Sequence, residues 1–159
     1  MEKTNVMRKL DQLKIQHKEH FLGDDKNAIS GVEVAGILNV SVDKVFKTLV
    51  TVAKSNNHYV FMVPVAKELD LKKAAASVNE KSLEMLHQKD LLPLTGYVHG
   101  GCSPIGMKKQ FKTVIHETAP SFDTIFFSAG KIGYQIEMNP NELIKLINIK
   151  VSDIIKENG

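Results

Sequence analysis

Apolar residues recur at helical spacing near the start of the chain. Val6, Met7, Leu10 and Leu13 fall on one face behind Thr4, a favourable helix cap, with Arg8, Lys9 and Lys14 outside. Residues 16–21 are short and mixed and are read as a strand, and 23–27 is polar and turn-rich. Val32, Val34, Ala35, Ile37 and Leu38 predict a second helix that closes near Asn39. The pattern then changes. Residues 45–53 are β-branched and largely apolar, which predicts an interior strand, and 58–65 follow after the turn 54–57 as its hairpin partner. Residues 71–78 and 81–91 predict two short helices. Residues 113–116 predict a strand, and 124–128 and 134–138 predict a second hairpin around the turn 129–133. Asn139-Pro140-Asn141-Glu142 has the cap, the proline and the acid of a helix start, and Leu143, Ile144, Leu146 and Ile147 turn inward behind it. No internal repeat or linker interrupts this order. The sum is a single domain over 1–159 of the α/β (α+β) class. Its hairpin-linked strands fit a mixed sheet or barrel better than a doubly wound parallel sheet.

Composition changes this picture little. A chain of 159 residues with 43% hydrophobic and 25% charged positions is an ordinary globular mixture. A formal charge of +3 permits contact with a polyanion without demanding one. One cysteine excludes an internal disulfide and suits a reducing compartment. The N-terminus opens an amphipathic segment, not a signal peptide, and no apolar run reaches the roughly 18 residues of a membrane span. The expectation is a soluble, cytoplasmic protein without a membrane partner.

Candidate chemistry concentrates in residues 96–109, Gly-Tyr-Val-His-Gly-Gly-Cys-Ser-Pro-Ile-Gly-Met-Lys-Lys. Such a loop can present main-chain N–H groups to a ligand, and it is also what a plain surface turn looks like. It matches neither the P-loop nor the dinucleotide-binding pattern. Lys47 lies inside an apolar strand. On the strand pattern alone it is a solvent-facing lysine of a half-covered sheet; in a cleft it could hold a phosphate or ribose oxygen, or act as a base. Six histidines show no zinc-site spacing, although His17 and His20 are three apart, so neither a metal nor a cofactor is expected. Cys102 beside His99 could be a nucleophile, but no acidic orienting partner is evident, and a lone cysteine is more often a buried hydrophobe. Lys108, Lys109, Lys112 and Lys131 flank the two glycine turns and could guide a phosphate backbone.

Read in order, these blocks resemble a known family. Lys47-Thr48-Leu49, Val63-Pro64-Val65, Leu69-Asp70-Leu71-Lys72-Lys73-Ala74-Ala75, Gly96-Tyr97, Gly100-Gly101-Cys102-Ser103-Pro104-Ile105-Gly106, Ser128-Ala129-Gly130-Lys131, Gly133 and Ile136-Glu137 are similar to the YbaK/EbsC family of free-standing aminoacyl-tRNA deacylases. These are relatives of the editing domain of bacterial prolyl-tRNA synthetase. The resemblance implies a mixed, mostly antiparallel, β-barrel-like sheet flanked by helices. It also implies hydrolysis of mischarged Cys-tRNA(Pro) by attack of the substrate's own thiol, with the glycine loop stabilising the oxyanion.

Carried over by position, Lys47 and Gly101 would be the catalytic residues. Thr48, Gly100, Cys102, Ser103, Pro104, Ser128 and Gly130 would bind substrate, together with His20, Phe21 and Ser30 in a segment that departs from the relatives. Gln135 stands where some relatives have an acid. Implied partners are the aminoacylated 3′ end of tRNA(Pro) and prolyl-tRNA synthetase. Rival readings are a deacylase for Ala-tRNA(Pro) or another small aminoacyl-tRNA, a non-catalytic tRNA- or synthetase-binding module, and a Cys102 thiol enzyme.

Overall fold

The computed structural model describes residues 2–23 and 30–157. Helix α1 (Asn5–Gln12) begins at a capping box, in which Thr4 Oγ1 accepts the Met7 N–H. It sends Val6, Met7 and Leu10 into the main core. Leu13, expected on that inner face, is instead the C-cap and half exposed, because the helix ends at Gln12 and Lys14 turns into the left-handed region. Strand β1 (Lys18–Phe21) follows. Of the turn expected over 23–27, residues 24–27 lie outside the described residues. Helix α2 (Gly31–Leu38) is capped by Ser30 and closed by Asn39 at φ 56°, where its pattern placed the end. It buries only Val34 and Ala35, and leaves Val32 and Ile37 exposed.

Strands β2 (Phe46–Ala53) and β3 (His58–Pro64) form the expected hairpin. Helix α3 (Leu71–Ser77) also lies where its pattern put it. The helix expected over 81–91 forms only in its last four residues. Its first part becomes strand β4 (Leu83–Met85), and helix α4 (Gln88–Thr95) starts late and runs past the expected end. Leu-Glu-Met-Leu is helix-prone in isolation, but Leu83 is buried, β4 pairs with β2, and the Leu86 N–H donates to the Val50 carbonyl. Tertiary pairing overrides local propensity here. Strands β5 (Lys112–His116), β6 (Ile125–Ser128) and β7 (Tyr134–Met138) and helix α5 (Pro140–Ile147) match expectation. A short final strand, β8 (Lys150–Ser152), does not show in the pattern.

The strands form two sheets. One has the order β4-β2-β3-β5-β8 and the other β1-β7-β6. The first is mixed, since β3–β5 and β5–β8 run parallel; the second is antiparallel throughout. The barrel-like closure expected from the resemblance does not occur. Among the described residues the two sheets pair with each other only at an isolated parallel bridge, Val45 to Phe126. β4 covers only Thr51, Val52 and Ala53 of β2. Among the described residues, the first half of β2 is therefore paired along its length with β3 alone, and the sheet stays open there.

Alternation along β2 and β3 divides the core. Phe46, Val50, Val60 and Met62 join α1 and the three-stranded sheet in the larger cluster, while Ala53, Phe61 and Val63 pack with α3. The C-terminal segment seals that second cluster through Ile154, which is fully buried. Its N–H donates to His116 Nδ1 at 3.3 Å.

His116 is buried, and burial pulls its pKa below the ordinary imidazole value, although Asp153 and Glu117 act in the opposite sense. The unfolded chain therefore takes up the proton first. The stability that neutral His116 contributes is complete above about pH 6.5 and is lost as pH falls below it. We expect the thermal midpoint to fall between pH 7.5 and 5.5, and His116→Asn, whose Oδ1 can replace the Nδ1 acceptor, to flatten that fall. An unchanged slope in the variant would refute the assignment.

Candidate functional site

A cavity of about 430 Å³ lies along the bare first half of β2. Phe46, Lys47, Thr48 and Leu49 form its floor, Ser30, Gly31, Glu33 and Val34 of α2 one wall, and Leu91, His99, Gly100 and Cys102 another, with Ser128 and Gln135 closing it. Because the Val50 carbonyl points toward β4, Thr48, two residues earlier, turns its main-chain N–H and C=O to the same side, where no strand follows.

Three polar groups in this cavity have no partner among the described residues. Lys47 is half-buried, and its ammonium makes no hydrogen bond or ion pair there. Burial lowers its pKa, with the Glu68 carboxylate acting in the opposite sense. Thr48 Oγ1 and Gln135 Oε1 are buried and unsatisfied. An unpaired buried polar atom costs about 1–3 kcal/mol, and two of them line this one cavity.

The other lining side chains hold the walls. Ser30 Oγ accepts the Glu33 N–H at 3.2 Å and starts α2. Ser128 Oγ accepts the Gly130 N–H at 3.1 Å and shapes the second glycine turn. Cys102 is 7% exposed, and burial pushes its pKa up to about 12. It is therefore a neutral thiol, as expected for a small buried hydrophobe.

Of the residues nominated from the sequence, Lys47, Thr48, Ser30, Gly100, Cys102 and Ser128 line the cavity; His20, Phe21, Gly101, Ser103, Pro104 and Gly130 do not. Lys47, which the strand pattern alone read as solvent-facing, is half-buried and lines the cavity. Gly101 cannot offer a main-chain donor, because its N–H donates to the Val98 carbonyl at 3.0 Å. Its lack of a side chain serves packing: a Cβ would come within 3.2 Å of the Ile132 nitrogen and 3.3 Å of the Lys131 carbonyl carbon. Of the cavity-lining loop residues, His99, Gly100 and Cys102 have main-chain N–H groups without a main-chain acceptor among the described residues.

Ser103 and Pro104 are buried and build the turn, with Ser103 Oγ accepting the Ile105 N–H. Gly130, at φ 102°, lies against Asn5 and Tyr97, where a Cβ would meet Asn5 Oδ1 at 2.9 Å. His20 pairs with Glu137 at 2.9 Å and packs on Phe126, and Phe21 packs on Tyr134 beside a separate cavity. The His17–His20 pair splits, as His17 joins Asp11 and Glu19, where the Lys3 ammonium already sits 3.0 Å and 2.8 Å from the two carboxylates.

Glu33, Gly31, Val65 and Leu91 also line the cavity and were not singled out from the sequence. The signal for the first three was the run Ser30-Gly31-Val32-Glu33-Val34 and the Val63-Pro64-Val65 block. Nothing in the pattern indicated Leu91, since its segment read as a different helix.

Comparison with known proteins agrees with this geometry. A protein 44% identical over 153 residues, covering 96% of this chain and 93% of its own length, is the "Putative Cys-tRNA(Pro)/Cys-tRNA(Cys) deacylase EbsC" of Enterococcus faecalis. The fold matches the crystal structure of a hypothetical protein with a TM-score of 0.88 at 19% identity, over 96% of this chain and all of that one. It also matches "a putative trans-editing enzyme for prolyl tRNA synthetase" with a TM-score of 0.84 at 22% identity, over 99% of this chain and all of that one. Residues 26–146 match the family model described as the aminoacyl-tRNA editing domain, and to that family this chain belongs.

Proposed function

We propose that this chain is a trans-editing deacylase that removes cysteine from mischarged Cys-tRNA(Pro). The observation that carries the reading is the cavity itself: a half-buried, unpaired Lys47 next to two unsatisfied polar atoms, with the cavity's one thiol held protonated. Such a wall binds and orients. The name of the Enterococcus faecalis relative supports the substrate.

On this reading Lys47 holds an oxygen of the terminal nucleotide, and Thr48 and Gln135 bind the aminoacyl group. The nucleophile is the substrate's own thiol. Its sulfur bonds to the ester carbonyl carbon while the carbon–oxygen bond to the ribose breaks. The ribose oxygen leaves with the proton the thiol gives up, and a cyclic thiolactone is released. Holding the thiol over the carbonyl supplies the effective molarity of an intramolecular reaction, on the order of 10⁵ M or more in good geometry. The free amides of Gly100 and Cys102 would receive the developing oxyanion. Gly101, nominated as catalytic, would act through the fit between the two glycine turns. With a formal charge of +3, the chain would rely on prolyl-tRNA synthetase, in the cytoplasm, for most of its grip on tRNA.

The direct test is release of labelled amino acid from Cys-tRNA(Pro) and Ala-tRNA(Pro). We expect loss of cysteine only, a fall of about 100-fold or more in kcat/KM for Lys47→Ala, and little change for Cys102→Ala, in line with the usual cost of removing a charged contact. Release of alanine instead would overturn the substrate, and loss of activity in Cys102→Ala would restore the thiol-enzyme reading. No release of either, with prolyl-tRNA synthetase added, would leave a binding module.

Thr48→Val offers a separate check on the wall. Removing an unsatisfied buried hydroxyl without changing shape should leave the free protein as stable as before, or more stable by up to about 1 kcal/mol, while deacylation falls. A clear loss of stability in urea unfolding would mean that the hydroxyl has a partner in the free protein.

A further inference from the structure

Among the described residues, the cavity wall carries one carboxylate and one ammonium, Glu33 and Lys47. Its other titratable side chains are His99 and the neutral thiol of Cys102. Glu33 is the third residue of α2, and its main-chain N–H already serves the helix cap at Ser30 Oγ. The carboxylate is left over: the side chain is exposed and forms no ion pair with another described residue. Two other carboxylates near the site are occupied and do not line it. Glu68 pairs with Lys156 at 3.0 Å, and Glu137 is held by His20 at 2.9 Å and Thr124 at 2.6 Å. Gln135 and Thr48 can accept hydrogen bonds but cannot balance a charge.

An aminoacyl ester of an RNA 3′ end carries the complementary pair. Phosphate negative charge lies on one side of the ester, and a protonated α-amino group lies one carbon from the carbonyl on the other. We propose that Glu33 receives the substrate's α-ammonium while Lys47 takes the nucleotide side, so that the site requires a free α-amino group. The inference rests on the deacylase reading above. It makes Glu33 a specificity residue that separates aminoacyl esters from N-acylated ones, including peptidyl esters. An N-acyl group removes the charge, and it would leave the carboxylate facing a neutral amide.

A chemical double-mutant cycle tests this. Wild type and Glu33→Gln are compared on Cys-tRNA(Pro) and N-acetyl-Cys-tRNA(Pro) at a single pH near 7, each rate corrected for uncatalysed hydrolysis. The single pH removes pH as a variable between the four measurements, and the cycle cancels the bulk of the acetyl group. Loss of a charge-assisted contact predicts a fall of about 10- to 100-fold in kcat/KM on the free amine and less than about twofold on the acetylated ester. Glu33→Lys, which keeps the exposed position and reverses the charge, should prefer the acetylated ester. Equal losses on both substrates, or none on the free amine, would overturn the proposal. If wild type releases no cysteine, the deacylase reading has failed by itself. Filter binding of the same two RNAs then decides the role of Glu33: preference for the free amine, abolished in Glu33→Gln, supports it, and equal binding rejects it.

Discussion

β2 loses its neighbour on one side halfway along its length. β4 is three residues long and pairs only with Thr51, Val52 and Ala53, and the three-stranded sheet touches the chain at Val45 and then turns away. What would be an ordinary central strand is therefore an edge strand over Phe46–Leu49, but one enclosed by other elements. Exposed edges invite pairing with other chains, and proteins cover or shorten them. Here α2, the glycine loop and the β6–β7 turn cover the edge at a distance, so a cavity lies between. Lys47 on one face of the strand and Thr48 on the other can then both reach the same space, which strict alternation within a complete sheet would forbid.

The cover is held by a contact that reaches back to the start of the chain. Asn5 Nδ2 donates to the Tyr97 hydroxyl at 3.0 Å, and that hydroxyl donates to the Ile105 carbonyl. Gly106 and Gly130 both press on this pair. Helix α1 thereby ties the first glycine turn to the second, and the contact of Gly101 with Lys131–Ile132 completes the seam. The wall amides of Gly100 and Cys102 are positioned by this packing, which involves residues from both ends of the first 130 positions. A loop that is dense in glycine is made rigid by what it leans on.

That distribution explains what was legible in the sequence. Elements with their own local signals were readable: α1 from its cap and spacing, the β2–β3 and β6–β7 hairpins from their turns, α5 from Asn139-Pro140. Residues 81–91 were not, because β4 exists only where the half-bare β2 recruits it. The open sheet was equally out of reach, since a missing strand partner leaves no mark in composition. Lys47 could be singled out as an anomalous charge in an apolar strand, but its direction depended on the cavity. Glu33 drew no reading of its own from the sequence, and only the approach of α2 to β2 brings it to the wall that carries Lys47. Gly101 was noticed for its type, but that its amide is taken by the Val98 carbonyl leaves no mark in the sequence.

A cavity of about 430 Å³ that admits cysteine would not by size alone reject an amino acid of similar bulk, because small pockets separate similar side chains by only a few kcal/mol. On the proposed reaction it does not have to. Cys102 is buried and its pKa is pushed up to about 12, so the wall brings no thiolate of its own, and on that reaction the bond-forming atom comes from the bound amino acid. Proline has no side-chain nucleophile to fold over its ester. A correctly charged Pro-tRNA that entered the cavity would meet the same Lys47, the same amides and the same unsatisfied Thr48 and Gln135, and would leave intact. Discrimination then resides in which substrate can complete the reaction, and this permits a cavity whose empty form tolerates unpaired polar atoms and an incomplete sheet.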